Sequence, residues 1–235
     1  MANRDLSLSA RAENTREPLP EKDPIQFKLS EIKQHFDENL SSIKNQFNIA
    51  DELFKSGKNE ECKNIWRSQI VFLEGILDFY LHEISKYSLY NMFTGNWKKS
   101  IKYKTIKVPM EQVEIGLKSS ESKEWFFTFL NKQFERDVFL AAETMVDQLN
   151  LIGLDFGDVM KIAFPRDTSN ASHKYGKKVV SELFSRRNQI AHQLDRDHKT
   201  AIQKDIDKAY VETKIEEVTK IVNAIQSLAE EKNNT

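Results

Sequence analysis

One cysteine, seven glycines and five prolines among 235 residues leave little material for disulfide-stapled or turn-rich β architectures. Cys62 cannot close an internal disulfide alone, and no Cys/His cluster has zinc-ligand spacing, so neither a staple nor a metal is indicated. No apolar run approaches the ~20 residues of a membrane span, and nothing near Met1 joins an apolar region to basic flanks. The chain therefore reads as cytoplasmic, with no membrane partner. Thirty-five basic against 36 acidic residues give a net charge of -1, which excludes coating nucleic acid by bulk electrostatics and leaves only a local patch. Gly-rich phosphate loops, paired-cysteine motifs and serine-hydrolase signatures are also missing, and no cofactor is implied.

What is present is helical periodicity. Residues 1–24 carry Pro18, Pro20 and Pro24 among charges with no apolar period, and are expected to be disordered. From Leu29 to Phe54, apolar residues recur at steps of three and four (Leu29, Ile32, Phe36, Leu40, Ile43, Phe47, Ala50) and predict a first long helix. A second stripe runs from Cys62 through Trp66, Leu73, Leu77, Tyr80 and Ile84 to Tyr87. The linker Ser56–Asn59 is short enough to make the two antiparallel neighbours. Residues 91–109 alternate in part and predict a loop with room for one short strand.

Short helical patterns follow at 110–117, 122–134, 136–150 and 155–163, a subdomain inserted between the long pairs. A polar loop over 166–172 leads into a helix through Val179, Val180, Leu183 and Phe184, and a last helix carries Tyr210, Ile215, Val218, Ile221, Val222, Ile225 and Leu228. The tail after Glu230 is expected to fray. The fold class is all-α, one helical domain over 25–230 with long antiparallel helices and a short-helix insertion.

One segment carries chemistry: Leu183-Phe184-Ser185-Arg186-Arg187-Asn188-Gln189-Ile190-Ala191-His192. RNA cleavage without a metal needs a group that takes the proton from a ribose 2′-hydroxyl and a fixed positive charge for the phosphorane-like transition state. Histidine as a residue type can accept such a proton near neutral pH, which suits His192 to the first role, and an arginine guanidinium forks onto two phosphate oxygens, which suits Arg187 to the second. Asn188 would orient the histidine or the phosphate. Lys174, Lys178 and Arg186 concentrate positive charge beside them for substrate binding. On a regular helix Arg187 and His192 lie about 140° apart, so a tight pocket calls for a distorted helix or a second copy.

Arg187, Asn188 and His192, with Ile190 and Ala191 as small apolar filler late in a helical chain, resemble the HEPN superfamily, whose hallmark is Arg, four to six residues, then His, with a polar residue after the Arg. The wider arrangement, over roughly residues 60–228 with the motif-bearing part at 170–230, is similar to the RiboL-PSP branch. That resemblance implies a HEPN-type helical bundle and a homodimer with the motifs at its interface. It also implies endoribonuclease activity giving a 2′,3′-cyclic phosphate and a 5′-hydroxyl, and a role as a toxin or antiphage-defence effector with an antitoxin or regulatory partner. The alternative function is a non-catalytic module of the same scaffold, binding RNA, a nucleotide or a protein.

Plainer readings stand beside these. An Arg or His near a helix end commonly forms an ion pair, here with Asp195 or Asp197, or meets the helix dipole. His35, His82, His173 and His198 read as packing or surface residues. The lysines from Lys98 to Lys107, interleaved with Trp97 and Tyr103, suit either a strand of RNA or a solvated loop whose aromatics pack inward. Trp125, Phe126, Phe127 and Phe129 occupy all sides of one helix, which suggests either a partner interface or burial on several sides.

Overall fold

The computed structural model describes residues 25–118, 122–135 and 137–234. The expected disorder of residues 1–24 lies outside this range. The helices are α1 (Leu29–Lys55), α2 (Asn59–Thr94), α3 (Met110–Lys118), α4 (Glu124–Phe134), α5 (Ala142–Leu151), α6 (Phe156–Ala163), α7 (Ser169–Gln193) and α8 (Lys208–Asn233). The chain is all-α, and no helix among the described residues is long and apolar enough to cross a membrane.

Four long helices form the body. α1 turns back onto α2 through Gly57, whose φ of 77° is open to glycine at little cost. The stripe Leu29, Ile32, Phe36, Leu40, Ile43 and Ala50 is buried against α2 and α8, so it is spent within the chain itself. Gln69 donates to the Ile43 carbonyl and Phe36 meets Tyr80 edge-on, which makes α1 and α2 antiparallel as expected. Arg67 reaches Asp195 while Glu74 reaches Arg187, so α7 runs antiparallel to α2. Tyr80 bonds Gln226 and Tyr87 bonds Asn233, so α8 runs parallel to it.

A polar knot fixes this register. The buried Tyr80 hydroxyl donates to Gln226 Oε1 at 3.1 Å, and Gln226 Nε2 donates to the Leu29 carbonyl at 3.4 Å. One amide thus joins α2, α8 and the start of α1. A buried donor or acceptor left unpaired costs about 1–3 kcal/mol, so the knot penalises other registers.

The inserted short helices sit against this body. Phe126, Phe127 and Phe129 of α4 are all buried, and Trp125 packs on Phe93, so burial on several sides accounts for the aromatic cluster. Side chains N-cap α6, α7 and α8: Asp155, Thr168 and Asp207 accept from Asp158, Ala171 and Tyr210 N–H groups.

Three local expectations fail. No strand forms in 91–109: α2 continues to Thr94, and a single 3-10 turn spans Lys102–Thr105. Trp97 is buried there with its indole N–H on Asn233, so the alternation reflects aromatics packing inward. α7 begins at Ser169, inside the predicted loop, because Thr168 supplies a cap. α8 persists to Asn233, past the predicted fray point, because Asn233 is held by Trp97 and Tyr87.

Candidate functional site

α7 passes through Arg187–His192 without a break, and then stops sharply. Leu194 (φ 50°) and Asp195 (φ 61°) are consecutive left-handed residues, neither of them glycine. Such a conformation costs roughly 1–2 kcal/mol per residue and needs an anchor. The anchor is Asp195, which is fully buried: its Oδ2 lies 2.7 Å from Arg186 Nη2 and accepts Arg67 Nε at 3.2 Å. Arg67 also donates to the Lys204 carbonyl and Arg186 to the Asp205 carbonyl, tying the 194–207 loop onto α2 and α7.

This placement changes the role expected of Arg186. Its guanidinium is mostly enclosed in a structural clasp rather than standing free at a rim. Asp195 is an ion-pair partner as the plain reading had it, but of Arg186 and Arg67 rather than of Arg187 or His192. Asp197 caps its own turn through Lys199 and Thr200 N–H groups, which hold its carboxyl below the usual range.

Arg187 faces α2. Its Nε stands 2.7 Å from Oε2 of Glu74, a residue only 1% exposed, and its Nη1 donates to Asn188 Oδ1 at 2.9 Å. The Glu74 contact is a close ion pair at an angle outside hydrogen-bond geometry. Burial pushes the Glu74 carboxyl up to about 7, outweighing the pull of Arg187, with Asp78 adding a smaller upward push. One turn along, Asp78 accepts the Phe139 N–H and stands 3.7 Å from His82 Nε2; burial raises its carboxyl too, against His82, that N–H and Arg187. His82 also packs on Phe139, so Glu74, Asp78 and His82 form a polar row along α2 facing Arg187 and the insertion.

His192 points the other way. It is exposed and has no hydrogen-bond or ion-pair partner among the described residues. The structure therefore brings Arg187 and Asn188 together, but joins neither to His192 by a hydrogen bond or ion pair among the described residues. Along α7 the histidine shares its solvent-facing stripe with Lys174, Lys178, Ser181 and Ser185, all exposed, within about 60° of one another by helical period. Lys174 has no polar partner among the described residues, and Lys178 lies 3.7 Å from Glu182, a loose surface pair.

Sequence reading missed Glu74, Asp78 and Arg67, and named Asp195 only as an ion-pair partner without its burial. A signal for the first two was there: the run Ile70 to Leu81 is apolar except for two carboxylates four residues apart and a glycine. Acids inside such a run must find partners. Asp195 gave no such sign among polar neighbours. Among the described residues no group of acidic, His and Cys side chains is placed to hold a metal ion.

Comparison of the chain with protein-family models, with curated proteins and with solved structures finds no match.

Proposed function

We propose that this chain is a metal-independent endoribonuclease of the HEPN type that works as a homodimer. The observation that carries the reading is the pairing of a charged Arg187, oriented by buried Glu74 and by Asn188, with an unpartnered His192 on the next turn of the same helix. In this mechanism the His192 imidazole removes the ribose 2′-hydroxyl proton, and the 2′-oxygen attacks phosphorus. The 5′-oxygen departs with a proton from solvent or from a second imidazole, leaving a 2′,3′-cyclic phosphate. The Arg187 guanidinium neutralises charge building on the phosphoryl oxygens.

The unbroken α7 removes helix distortion as a way to bring the two side chains together within one chain. A second copy then supplies the missing partner, Arg187 of one protomer acting with a histidine of the other. An RNA-cleaving dimer of this kind fits a toxin or antiphage-defence effector restrained by an antitoxin or similar partner.

The second reading, a non-catalytic module, is favoured by one fact: Arg187 already spends its charge on Glu74. Incubating the purified chain with total RNA in EDTA, beside His192→Ala and Arg187→Ala, separates the two. Fragments ending in cyclic phosphate from the wild type alone establish the nuclease. Inactivity in all three, with RNA still bound, establishes the module.

A further inference from the structure

Between α7, the start of α8 and the 194–207 loop lies an open groove of about 430 Å³. Its walls are Lys178, Ser181, Ser185, Gln189, Lys204 and Tyr210, with Glu182 at one edge and Arg186 in its floor. We propose that this groove binds a phosphodiester of single-stranded RNA and feeds the strand along α7 to His192. The proposal deepens the ribonuclease reading and rests on it for the destination of the strand.

Charge is the first argument. Arg67 and Arg186 meet at the buried carboxylate of Asp195 under the groove, and the exposed Asp205, which also acts on Arg67, is paired with Lys63. Lys178 and Lys204 add two cations on the walls. Among the described residues Glu182 is the only acid lining the groove, and it is shared between Lys178 at 3.7 Å and Lys214 at 3.5 Å. Lys204 Nζ is held by Gln189 Oε1 at 2.7 Å, a neutral partner that positions its charge without cancelling it.

The donors are the second argument. Ser68, Ser85 and Ser88 of α2 turn their hydroxyls back onto carbonyls of their own helix. Among the described residues Ser181 and Ser185, also inside a helix, make no such bond, and the Tyr210 hydroxyl has no hydrogen-bond partner. These groups are free to meet phosphate and ribose oxygens, as phosphate-contacting side chains do.

The third is continuity. Ser185 and His192 share one face of α7, about 10 Å apart by helical rise. A strand whose phosphate sits over Ser185 has its next sugars near the imidazole. At about 430 Å³ the groove has room for about one nucleotide unit, so an unpaired strand is the matching form.

The test uses the full chain carrying His192→Ala, so that nothing is cut, and a fluorescein-labelled ten-nucleotide single-stranded RNA followed by anisotropy in EDTA. Adding Ser185→Glu or Lys204→Glu should weaken binding tenfold or more and flatten its salt dependence. Adding Ser185→Lys should tighten it, a gain that misfolding does not imitate. Lys220→Glu, on α8 away from the groove, should bind as the parent does. No binding by the parent, equal binding by all variants, or equal affinity for a duplex of the same length overturns the proposal. Cleavage by the chain with His192 intact keeps the two readings apart. A groove-dependent binder that never cuts RNA sinks the nuclease alone, whereas cutting with an unchanged KM in Ser185→Glu sinks the groove alone.

Discussion

Arg187 Nε and Glu74 Oε2 meet at 2.7 Å across α7 and α2, and the acid lies almost wholly out of solvent. The Glu74 carboxyl is raised from near 4.5 to about 7 by that burial. Between these two pH values the folded protein keeps a proton that the unfolded chain has lost. The resulting stabilisation is full below about 4.5 and fades as pH rises through 7, a change of about 3 kcal/mol at most. Urea unfolding should show the wild type losing stability from pH 5 to pH 8, and Glu74→Gln should flatten that slope. Parallel pH profiles for the two would show that Glu74 is not the titrating group.

Asp195→Asn tests the clasp. Asparagine tolerates the φ of 61° as well as aspartate does, so the backbone is spared and only the charge is lost. Two guanidiniums then share no carboxylate, and a loss of about 3 kcal/mol is expected in chemical denaturation. A loss under about 0.5 kcal/mol would mean that solvent reaches the cluster freely.

Gly176 lets α7 approach α6, because a methyl group there would collide with Sδ and Cγ of buried Met160. Gly176→Ala should cost about 1–3 kcal/mol by overpacking. Adding Met160→Ala should recover part of it, and the double-mutant cycle measures the coupling. Strict additivity of the two changes would refute the close contact.

Leu194 sits at φ 50° with its side chain 70% exposed, so it gives up little packing. Leu194→Gly should stabilise by about 1 kcal/mol, seen as a rise of roughly 2 to 4 °C in Tm. A fall in Tm would show that this leucine packs in a way its exposure conceals.

His192→Ala should leave stability within about 0.5 kcal/mol of the wild type, since the side chain has no hydrogen-bond or ion-pair partner among the described residues, while abolishing the proposed RNA cleavage. A large stability loss would assign His192 a structural role instead.

Much of the architecture could be read from periodicity. The stripes from Leu29 to Ala50 and from Cys62 to Ile84 turned out as buried faces, and the short helices fell close to their expected places, because burial on a helix repeats every 3.6 residues. The failures lie where contacts distant in sequence decide. Trp97 and Asn233 stand 136 residues apart, and their bond both buries the supposed strand and holds the end of α8. The site was half legible for the same reason. Arg187, Asn188 and His192 are neighbours in sequence, but Arg187 is oriented by Glu74, which only packing brings near.

The amide of Gln226 also has a kinetic meaning. Gln69 and Ile43 are 26 residues apart, so the α1–α2 hairpin closes a short loop, whereas Tyr80 must find Gln226 across 146 residues. Longer loops close more slowly and against more entropy, which puts the hairpin early and the knot late on the folding route. Interactions made after the folding barrier act on the escape rate from the native state. The knot that joins three helices therefore sets how long the assembled site endures, and has little say in how quickly it forms.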